Sequence, residues 1–549
     1  MTFNVGTWWR NNGLKYTILV LWLTLCTLLF RNTYNTYKYD LEYYYVHRIL
    51  GSWLCISRGS AAVLNLNCGL LLLPMCRSTI TLLRKCQNMI QLGSFQQIFA
   101  TVKGFHIVCA YSIVILAVVH CVAHVSNARN FSTKFDFTHR KLNAALFPGQ
   151  DPFLIILCTV PGVTGMLMLV TLCCMVSSST KYFRKNHYNL FWYVHRVLFP
   201  LFFGLLMVHG IRGPIRRQTN TRNHTPGCNS SLPQPEYLPE TGSVCDEHPQ
   251  FDHIGCSTWK WLVGPLVVYL GDCLYRYVRR SRKMTVTHAH MIADDIVQFD
   301  VHKDNSQFAF SPGQYVYLSV PEISTMEWHP FSVCMNEKQK GSFRVYIKTS
   351  GDWTEKLKNH VIQETNTSLD TVTSKRPHKC VYVDGPFSSP LENVTSYPIS
   401  VCIAGGIGVT PFIGYIQYLR NKDHAFLRCR RLYMIWVVRD MTSISLFEEE
   451  FVKLHHHCYE ENVPDFLEIS FYVTSPLKQT LAGEGFTYGR TTFGRPVWHT
   501  TLDSYFKRHS RSKFGIFVCG PHGMISDVRR GAQSVSNNSN HLYLHHESF

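Results

Sequence analysis

Six long apolar stretches in the first half of the chain restrict what it can fold into. They cover approximately residues 14–30, 49–74, 105–125, 153–177, 190–211 and 259–277. A helix needs about 20 such residues to cross the hydrocarbon core of a bilayer. Only 16% of the 549 residues are charged, whereas soluble globular chains carry about 25%. The sequence therefore predicts a bundle of six transmembrane helices, and it excludes a disordered chain, a collagen and a small disulfide scaffold.

Basic residues predict the orientation of these helices. Lysines and arginines collect after the second, fourth and sixth stretches, for example at Lys185 and Arg279. Such loops face the cytosol in membrane proteins. The glycosylation sequons at Asn130, Asn223 and Asn229 fall in the intervening loops, which should then lie outside or in a lumen. The formal net charge of +18 is therefore interpreted as membrane topology, and no nucleic-acid partner is expected.

Two of the predicted membrane helices each carry a pair of histidines. His106 and His120 lie on one helix, His195 and His209 lie on another, and each pair is separated by 14 positions. This interval equals about 21 Å along a helix and returns to within roughly 40° of the same face. Two facing helices could therefore clamp two flat ligands, one above the other. Bis-histidine haem fits this geometry, whereas the spacing is too wide for one helix to place both of its histidines on a single ion.

Two further polar residues lie within the same stretches. His124 and Arg58 are candidates for lining the place where an electron acceptor meets the outer haem. Arg58 could equally neutralise a haem propionate. A channel that uses its intramembrane histidines to pass protons or ions is an alternative from a different functional class.

The second half of the chain has the composition of a soluble flavoprotein. Alternating strand-like runs separated by Gly and Pro turns predict a small β-barrel. A flavin needs an apolar platform, hydrogen bonds near its N5 atom and a cation or backbone amides for its pyrophosphate. The residues that could supply these are His329, Pro330, Phe331, Ser332, Lys348, Trp353 and Thr354. The sequence thus predicts bound FAD.

The last part predicts a nucleotide-binding α/β domain. An apolar strand is followed by a Gly-rich turn and a helix, which can approach a pyrophosphate closely. The residues assigned to this turn are Gly405, Gly406, Gly408, Thr410 and Pro411. Arg439 and Arg495 could pair with a ribose 2′-phosphate, which favours NADPH over NADH. Cys519 ends another strand and is expected near the nicotinamide, although an ordinary strand-end cysteine is equally consistent.

These observations predict a multi-domain membrane protein. Its expected domains are a transmembrane haem domain at 1–278, an FAD-binding β-barrel at 279–395 and an NADPH-binding α/β domain at 396–549. The last two together would be similar to ferredoxin-NADP reductases.

The same motifs, in this order, resemble the NADPH oxidase family within the ferric-reductase superfamily. Leu73-Pro74-Met75-Cys76-Arg77 and Val160-Pro161-Gly162-Val163-Thr164-Gly165 carry the resemblance further. It implies that His106 and His195 hold an inner haem and His120 and His209 an outer one. Electrons would pass from NADPH through FAD and the two haems to dioxygen, with Phe549 lying against the flavin ring.

The resemblance also implies partners and a location. A small membrane subunit, the light chain of cytochrome b558, is expected, and cytosolic organiser subunits are not. The chain would lie in the endoplasmic reticulum or the plasma membrane with its dehydrogenase part in the cytosol.

The outer loop at 211–258 is similar to that of the family branch that releases hydrogen peroxide rather than superoxide. This similarity implies that His224 donates protons near neutral pH. Cys228 and Cys245 could then pair and leave Cys256 free, although the sequence leaves this pairing open. An ordinary glycosylated loop is the alternative.

Three features depart from the family pattern. The interval from His195 to His209 is one residue longer than expected, and Pro200 could absorb the difference through a kink. Ser388 and Val438 stand where the family has Gly and Cys. The last two departures leave an inactive haem-binding scaffold as an alternative. A ferric-chelate reductase, which would share the haems and the dehydrogenase but deliver electrons to metal, is another.

Overall fold

The structure is a computed structural model that describes residues 5–89, 96–228, 244–280, 283–302, 308–336, 341–369, 379–421, 427–475, 485–535 and 541–547. It divides into two compact units. The helical unit comprises Ile18–Cys76 and Val102–Gly271, and the sheet-containing unit comprises Met1–Thr17, Arg77–Thr101 and Asp272–Phe549.

Helices dominate the first half of the chain. They are α1 (Val5–Tyr39), α2 (Tyr44–Leu50), α3 (Ser52–Leu72), α4 (Arg77–Met89), α5 (Gln96–Thr133), α6 (Pro152–Leu157), α7 (Val160–Ser178), α8 (Lys181–Asn186), α9 (Tyr188–His209) and α10 (Thr258–Arg280). The sequon at Asn130 was expected in a loop but lies within α5, because that helix extends to Thr133. Its amide nitrogen donates to the Leu50 carbonyl at 2.9 Å. The sequon at Asn229 lies outside the described residues.

Five helices within the described residues are long and apolar enough to cross a membrane. They are Trp8–Tyr39, Ser52–Met75, Gly104–Thr133, Val160–Ser178 and Tyr188–His209. Ile115, Val118, Val122 and Val125 form an exposed apolar stripe along α5. A stripe of this kind suits contact with lipid better than contact with water.

The sixth predicted span forms a helix, α10, but does not meet the same criteria of length and composition. From Asp272 onward α10 belongs to the sheet-containing unit, where Asp272 accepts hydrogen bonds from the Thr79 N–H and hydroxyl at 2.8 and 3.0 Å. Arg276 lies within the predicted span and pairs with the buried Asp384 at 3.1 Å. Five of the six predicted spans meet these criteria, and the sixth stays a prediction.

Asp384 is the most heavily paired carboxylate of the sheet-containing unit. Arg276, Arg279 and Arg280 all bond to it, at distances between 2.5 and 3.1 Å. Burial opposes ionisation of Asp384, but the three guanidinium groups hold its pKa below the usual range. The end of α10 is therefore fixed to the strand that contains Asp384.

A seven-stranded antiparallel sheet follows α10. Its strands are β3 (Lys283–Ala293), β4 (Ile296–His302), β5 (Tyr315–Ser319), β6 (His329–Ser332), β7 (Cys334–Met335), β8 (Ser342–Lys348) and β9 (Lys379–Phe387). The strands β1 (Arg216–Gln218) and β2 (Phe251–His253) form a separate small hairpin in the helical unit. The strand order is β6-β5-β9-β3-β4-β8-β7. Helix α11 (Asp352–Leu369) contributes Trp353, Leu357 and Val361 to the core of this sheet.

A six-stranded parallel sheet forms the rest of the chain. It comprises β10 (Ile399–Gly405), β11 (Arg431–Val438), β12 (Leu467–Val473), β13 (Thr491–Phe493), β14 (Lys513–Cys519) and β15 (His541–Glu547), in the order β13-β12-β11-β10-β14-β15. The helices are α12 (Thr410–Leu419), α13 (Thr442–Ser445), α14 (Glu448–Glu460), α15 (Trp498–Arg508) and α16 (His522–Val535). The central strand β10 is buried at almost every position, as expected for a parallel sheet covered on both faces. The predicted order of helical, antiparallel and parallel parts is confirmed.

The edge strand β15 is bound by a side chain from α1. The Asn11 amide donates to the Leu542 carbonyl and accepts from the Leu544 N–H, both at 2.8 Å. One side-chain amide thus satisfies two backbone groups of the edge, as a neighbouring strand would.

Candidate functional site

Two histidine rings from different helices lie close together in the helical unit. His120 on α5 and His209 at the end of α9 have ring centroids 6.3 Å apart. Two metal–nitrogen bonds of about 2 Å, with half the width of each ring added, give about the same separation. The longer interval between His195 and His209 therefore does not prevent His209 from reaching His120.

Hydrogen bonds fix which nitrogen of these rings is free. The Nδ1 atom of His120 lies 3.0 Å from the Ser57 carbonyl, and that of His106 lies 3.2 Å from the Leu71 carbonyl. Because a carbonyl oxygen can only accept, Nδ1 carries the hydrogen in both rings. The lone pair on Nε2 is then available to a metal, which is the arrangement usual for metal-bound histidines.

His209 is oriented by a hydroxyl rather than a carbonyl. Thr164 donates its hydroxyl hydrogen to the Val160 carbonyl at 2.7 Å, so its oxygen accepts from Nδ1 of His209 at 2.9 Å. A Cβ atom at Gly165 would lie 3.1 Å from Cε1 of His209. The Thr164-Gly165 pair on α7 thus positions the ring and leaves room for it.

The second pair, His106 and His195, is also close enough to interact electrostatically. The buried Nδ1 atom of His195 has no hydrogen-bond partner among the described residues. Buried polar atoms are rarely left unpaired. An orphaned ring nitrogen is consistent with a histidine that serves a bound group.

Arg58 and His124 lie beside the His120–His209 pair. The rings of His120 and His124 have centroids 4.5 Å apart, and Arg58 interacts electrostatically with all three histidines. The buried Nε atom of Arg58 has no partner among the described residues. A guanidinium with an unpaired nitrogen at this position suits an anionic group on a bound ligand.

The loop between α9 and α10 is closed by several contacts. Strands β1 and β2 pair at its base, and Cys228 forms a disulfide with Cys245. The backbone N–H of Thr225 donates to the Val244 carbonyl at 2.8 Å. The structure therefore contains the Cys228–Cys245 pairing that the sequence left open, with Cys256 as a free thiol.

His224 is buried within this loop, with 4% of its surface exposed. Its Nδ1 atom lies 2.8 Å from the Glu247 carbonyl and its Nε2 atom lies 3.0 Å from the Tyr45 hydroxyl. Both ring nitrogens are thus occupied, so His224 does not present a free nitrogen at an open surface. Tyr45 lies 179 positions before His224, so no local motif links the two residues.

The predicted flavin residues gather around Trp353. The His329 ring stacks on the Trp353 indole at 4.3 Å and 26°, and the Phe331 ring lies 6.2 Å from it. The buried Nε1 atom of Trp353 has no partner among the described residues. Burial lowers the pKa of His329, although Glu327 at 3.2 Å opposes this effect. Aromatic surface and an unpaired donor together fit a flavin.

The other predicted flavin residues have partners of their own. Lys348 is exposed and pairs with Asp295 at 3.2 Å. The Thr354 hydroxyl donates to the Gly351 carbonyl and accepts from the backbone N–H of Gly351 at 3.0 Å. Pro330 and Ser332 lie on β6 with His329.

Of the glycines of the predicted nucleotide turn, Gly405 ends β10, and Gly406 and Gly408 follow it. Gly406 has φ +54°, a conformation that favours glycine. A Cβ atom at Gly408 would overlap the Cys519 carbonyl oxygen. Thr410 and Pro411 are buried at the start of α12. The turn therefore brings backbone close to the end of β14, as expected for a pyrophosphate site.

Arg439 and Arg495 share one edge of the parallel sheet. Arg439 directly follows β11, Arg495 lies just beyond β13, and both are exposed. Because β11, β12 and β13 are parallel, their carboxyl ends lie at the same edge, where nucleotides bind in such sheets.

Beside the end of β14 lies a carboxyl group that no motif of the sequence indicates. Cys519 pairs in register with Glu547 on β15. Burial raises the pKa of the Glu547 carboxyl to about 7, although Ser389 and Arg84 oppose this effect. Burial also raises the pKa of the Cys519 thiol. Phe549 lies outside the described residues.

Comparison with known proteins identifies the family. Residues 58–206 match the family described as ferric reductase like transmembrane component, residues 281–391 match an FAD-binding domain and residues 399–533 match a ferric reductase NAD binding domain. NADPH oxidase 4 from Pongo abelii is 35% identical over 100% of both chains, and NADPH oxidase 4 from Mus musculus is 36% identical over 98% of both. The chain belongs to the NADPH oxidase family.

NADPH oxidase 1 from Mus musculus is 28% identical over 97% of this chain and 93% of its own length. This NADPH oxidase is therefore an enzyme that transfers electrons from NADPH across a membrane and produces reactive oxygen species. Its FAD- and NADPH-binding domains follow the membrane helices.

Proposed function

We propose that this oxidase carries electrons from cytosolic NADPH through FAD and two b-type haems to dioxygen on the outer or lumenal side. Hydrogen peroxide is its main product, with some superoxide. When bound, the flavin would take a hydride from NADPH and release its two electrons singly, and the haems would carry these single electrons. The domains of the proposal are those predicted at 1–278, 279–395 and 396–549.

The observation that carries the proposal is the spacing and polarity of the histidine pairs. Ring centroids 6.3 Å apart leave room for one metal between His120 and His209. The Nδ1 atoms of both rings are bound to oxygen, at 3.0 Å to Ser57 and 2.9 Å to Thr164. These bonds leave each Nε2 free to ligate. A histidine channel would not require this orientation of both rings.

We assign His106 and His195 to the inner haem and His120 and His209 to the outer haem. Arg58 and His124 would line the adjacent acceptor region, and Arg58 would hold an anionic group there. His329, Phe331 and Trp353 would provide the aromatic surface for the flavin. Ser332, Lys348 and Thr354 would add polar contacts, and Phe549 would cover the flavin ring.

For NADPH, we assign a glycine turn to the pyrophosphate, two arginines to the 2′-phosphate and one cysteine to the nicotinamide. Gly405, Gly406 and Gly408 let the backbone approach the pyrophosphate, and the start of α12 offers its N–H groups. Arg439 and Arg495 would bind the 2′-phosphate. Cys519 would lie beside the nicotinamide, where the Gly408 backbone lies close to the end of β14.

The outer loop would determine the product. The disulfide and the backbone pairing between Thr225 and Val244 hold the loop closed. A closed loop can retain superoxide long enough to be protonated, and His224 is the buried histidine in the described part of this loop. We further propose that a small membrane subunit, the cytochrome b558 light chain, supports the enzyme in the endoplasmic reticulum or plasma membrane, and that cytosolic organisers are not required.

A difference spectrum of membranes that carry the full chain tests the proposal. NADPH added under nitrogen should produce a low-spin b-type spectrum, and admitting air should bleach it. If only dithionite produced the haem spectrum, NADPH would not be the electron donor. If no haem were present, the proposal would be wrong. Faster bleaching by a ferric chelate than by air would favour a ferric-chelate reductase.

A further inference from the structure

Tyr45 is the side chain that holds His224 in place. It lies on α2 with 6% of its surface exposed. Its hydroxyl oxygen lies 3.0 Å from Nε2 of His224 and accepts the backbone N–H of Gly227 at 3.2 Å. One phenol oxygen therefore contacts both His224 and the turn that follows it.

The hydrogen-bond partners determine the tautomer of His224. The Glu247 carbonyl, at 2.8 Å from Nδ1, can only accept, so Nδ1 carries the hydrogen of the neutral ring. Nε2 is then an acceptor and receives the Tyr45 hydroxyl hydrogen. A second proton can bind His224 only at Nε2, where the Tyr45 oxygen is the nearest hydrogen-bonding atom.

The surroundings keep the Tyr45 ring fixed. Its ring lies 4.8 Å from that of His139 and contacts Phe251 edge-on at 5.6 Å. His139 is bound in turn to Asp136 at 3.1 Å. Burial raises the pKa of the Tyr45 hydroxyl, with Tyr44 and Asp136 acting in the same direction and Gly227 and Arg48 opposing it. Tyr45 therefore keeps its hydrogen at physiological pH.

The charged groups near His224 point elsewhere. The Glu247 carboxylate is bound to the side-chain amides of Asn220 and Asn223 at 3.2 and 2.9 Å. Only its backbone carbonyl contacts the ring. The Tyr45 hydroxyl, at 3.0 Å, is thus the closest side-chain group to Nε2 of His224, and Sγ of the disulfide-bonded Cys228 lies 4.0 Å from it.

We infer that Tyr45 is a positioning residue for peroxide formation, whose hydroxyl orients His224 and exchanges the proton carried on Nε2. This inference rests on the proposed role of His224 and deepens it. Two superoxide ions and two protons give one hydrogen peroxide and one dioxygen. A ring that is reprotonated at one fixed nitrogen can supply these protons in succession.

The test compares Tyr45→Phe, His224→Gln and the double variant in the full chain. Superoxide and peroxide are measured per NADPH oxidised between about pH 6 and 8, the range in which imidazole titrates. Tyr45→Phe should raise the superoxide share about fivefold, which matches the loss of one ordinary hydrogen bond. Its pH profile should coincide with that of His224→Gln, and the double variant should add nothing further.

Tyr43→Phe is the matched control, because Tyr43 is also buried but its ring packs against that of Tyr37, at 4.2 Å, rather than against His224. It should leave the product ratio and its pH profile unchanged. Thiol labelling of Cys228 and Cys245 reports whether the loop disulfide still forms in each variant. If Tyr45 had only a structural role, the pH profile of Tyr45→Phe would not coincide with that of His224→Gln.

The outcomes separate the inference from the proposed function. If His224→Gln changes the ratio and Tyr45→Phe does not, the inference is wrong and the proposed product chemistry stands. If neither variant changes the ratio, the proposed role of the loop is wrong as well. If Tyr45→Phe fails to form the disulfide, fluorotyrosine at position 45 keeps the hydroxyl and makes it more acidic. An unshifted pH profile in that protein would overturn the inference.

Discussion

The helical unit and the parallel sheet form their proposed ligand sites in opposite ways. In the helical unit, four histidine side chains reach inward, and oxygen atoms at Ser57, Leu71 and Thr164 orient three of them. In the sheet, the site depends on three residues without a side chain, Gly405, Gly406 and Gly408. The first kind of site should be destroyed by removing atoms and the second by adding them.

The largest effect is expected from His209→Ala. Loss of a ligand should cost more than the 10–100-fold typical of losing only its hydrogen-bond partner. Haem content in the dithionite-reduced spectrum should fall to about half, and oxygen consumption should fall by more than about a hundredfold. His187→Ala, at the exposed start of α9, is the control and should retain both haems. Full haem content in His209→Ala would contradict the assignment of this ring.

Gly408→Ala, which adds one carbon atom, should disrupt the proposed NADPH site. A Cβ atom there would overlap the Cys519 carbonyl oxygen, and such overpacking costs about 1–3 kcal/mol. NADPH-driven flavin reduction should slow by about tenfold, while dithionite still reduces both haems. Gly489→Ala is the control, because no atom lies within 4 Å of a Cβ at that position. If flavin reduction slowed equally in both variants, the close approach of Gly408 to Cys519 would not be the cause.

Thr164→Val should have the smallest of the three effects. It keeps the His209 ligand but removes the oxygen that accepts from Nδ1 at 2.9 Å. We expect haem affinity at the outer site to weaken about tenfold, accompanied by a shift in its reduction potential. Thr171→Val on the same helix is the control, since the Thr171 hydroxyl donates to the Met168 carbonyl at 2.9 Å. An unchanged reduction potential in Thr164→Val would contradict a role of Thr164 at the outer site.

The two regions also differed in how far the sequence could predict them. Histidine spacing predicted the pairing of α5 with α9, because imidazoles are rare in membrane helices and their separation along a helix is fixed. The partners of the Nδ1 atoms could not be predicted in the same way. Every residue has a carbonyl, and only helix packing selects those of Ser57 and Leu71.

The polar end of α10 shows what an apolar pattern leaves out. The apolar residues of α10 predict a sixth span, and Asp272 and Arg276 near its end bind groups of the sheet-containing unit. Whether a charged residue interrupts a span or ends it depends on the partner that it meets. That partner, Asp384 for Arg276, lies 108 positions away in the sequence.

By itself, the sequence determined the order of helical, antiparallel and parallel parts, the four histidines and the glycine turn, because these follow from local periodicity and from residue types that the chemistry requires. Tertiary structure alone decided that Thr164 orients His209, that Tyr45 binds His224 and that Glu547 lies beside Cys519. These contacts join distant positions through single hydrogen bonds and strand register. Directional interactions of this kind depend on packing distances of a few tenths of an ångström, which no linear pattern of residues encodes.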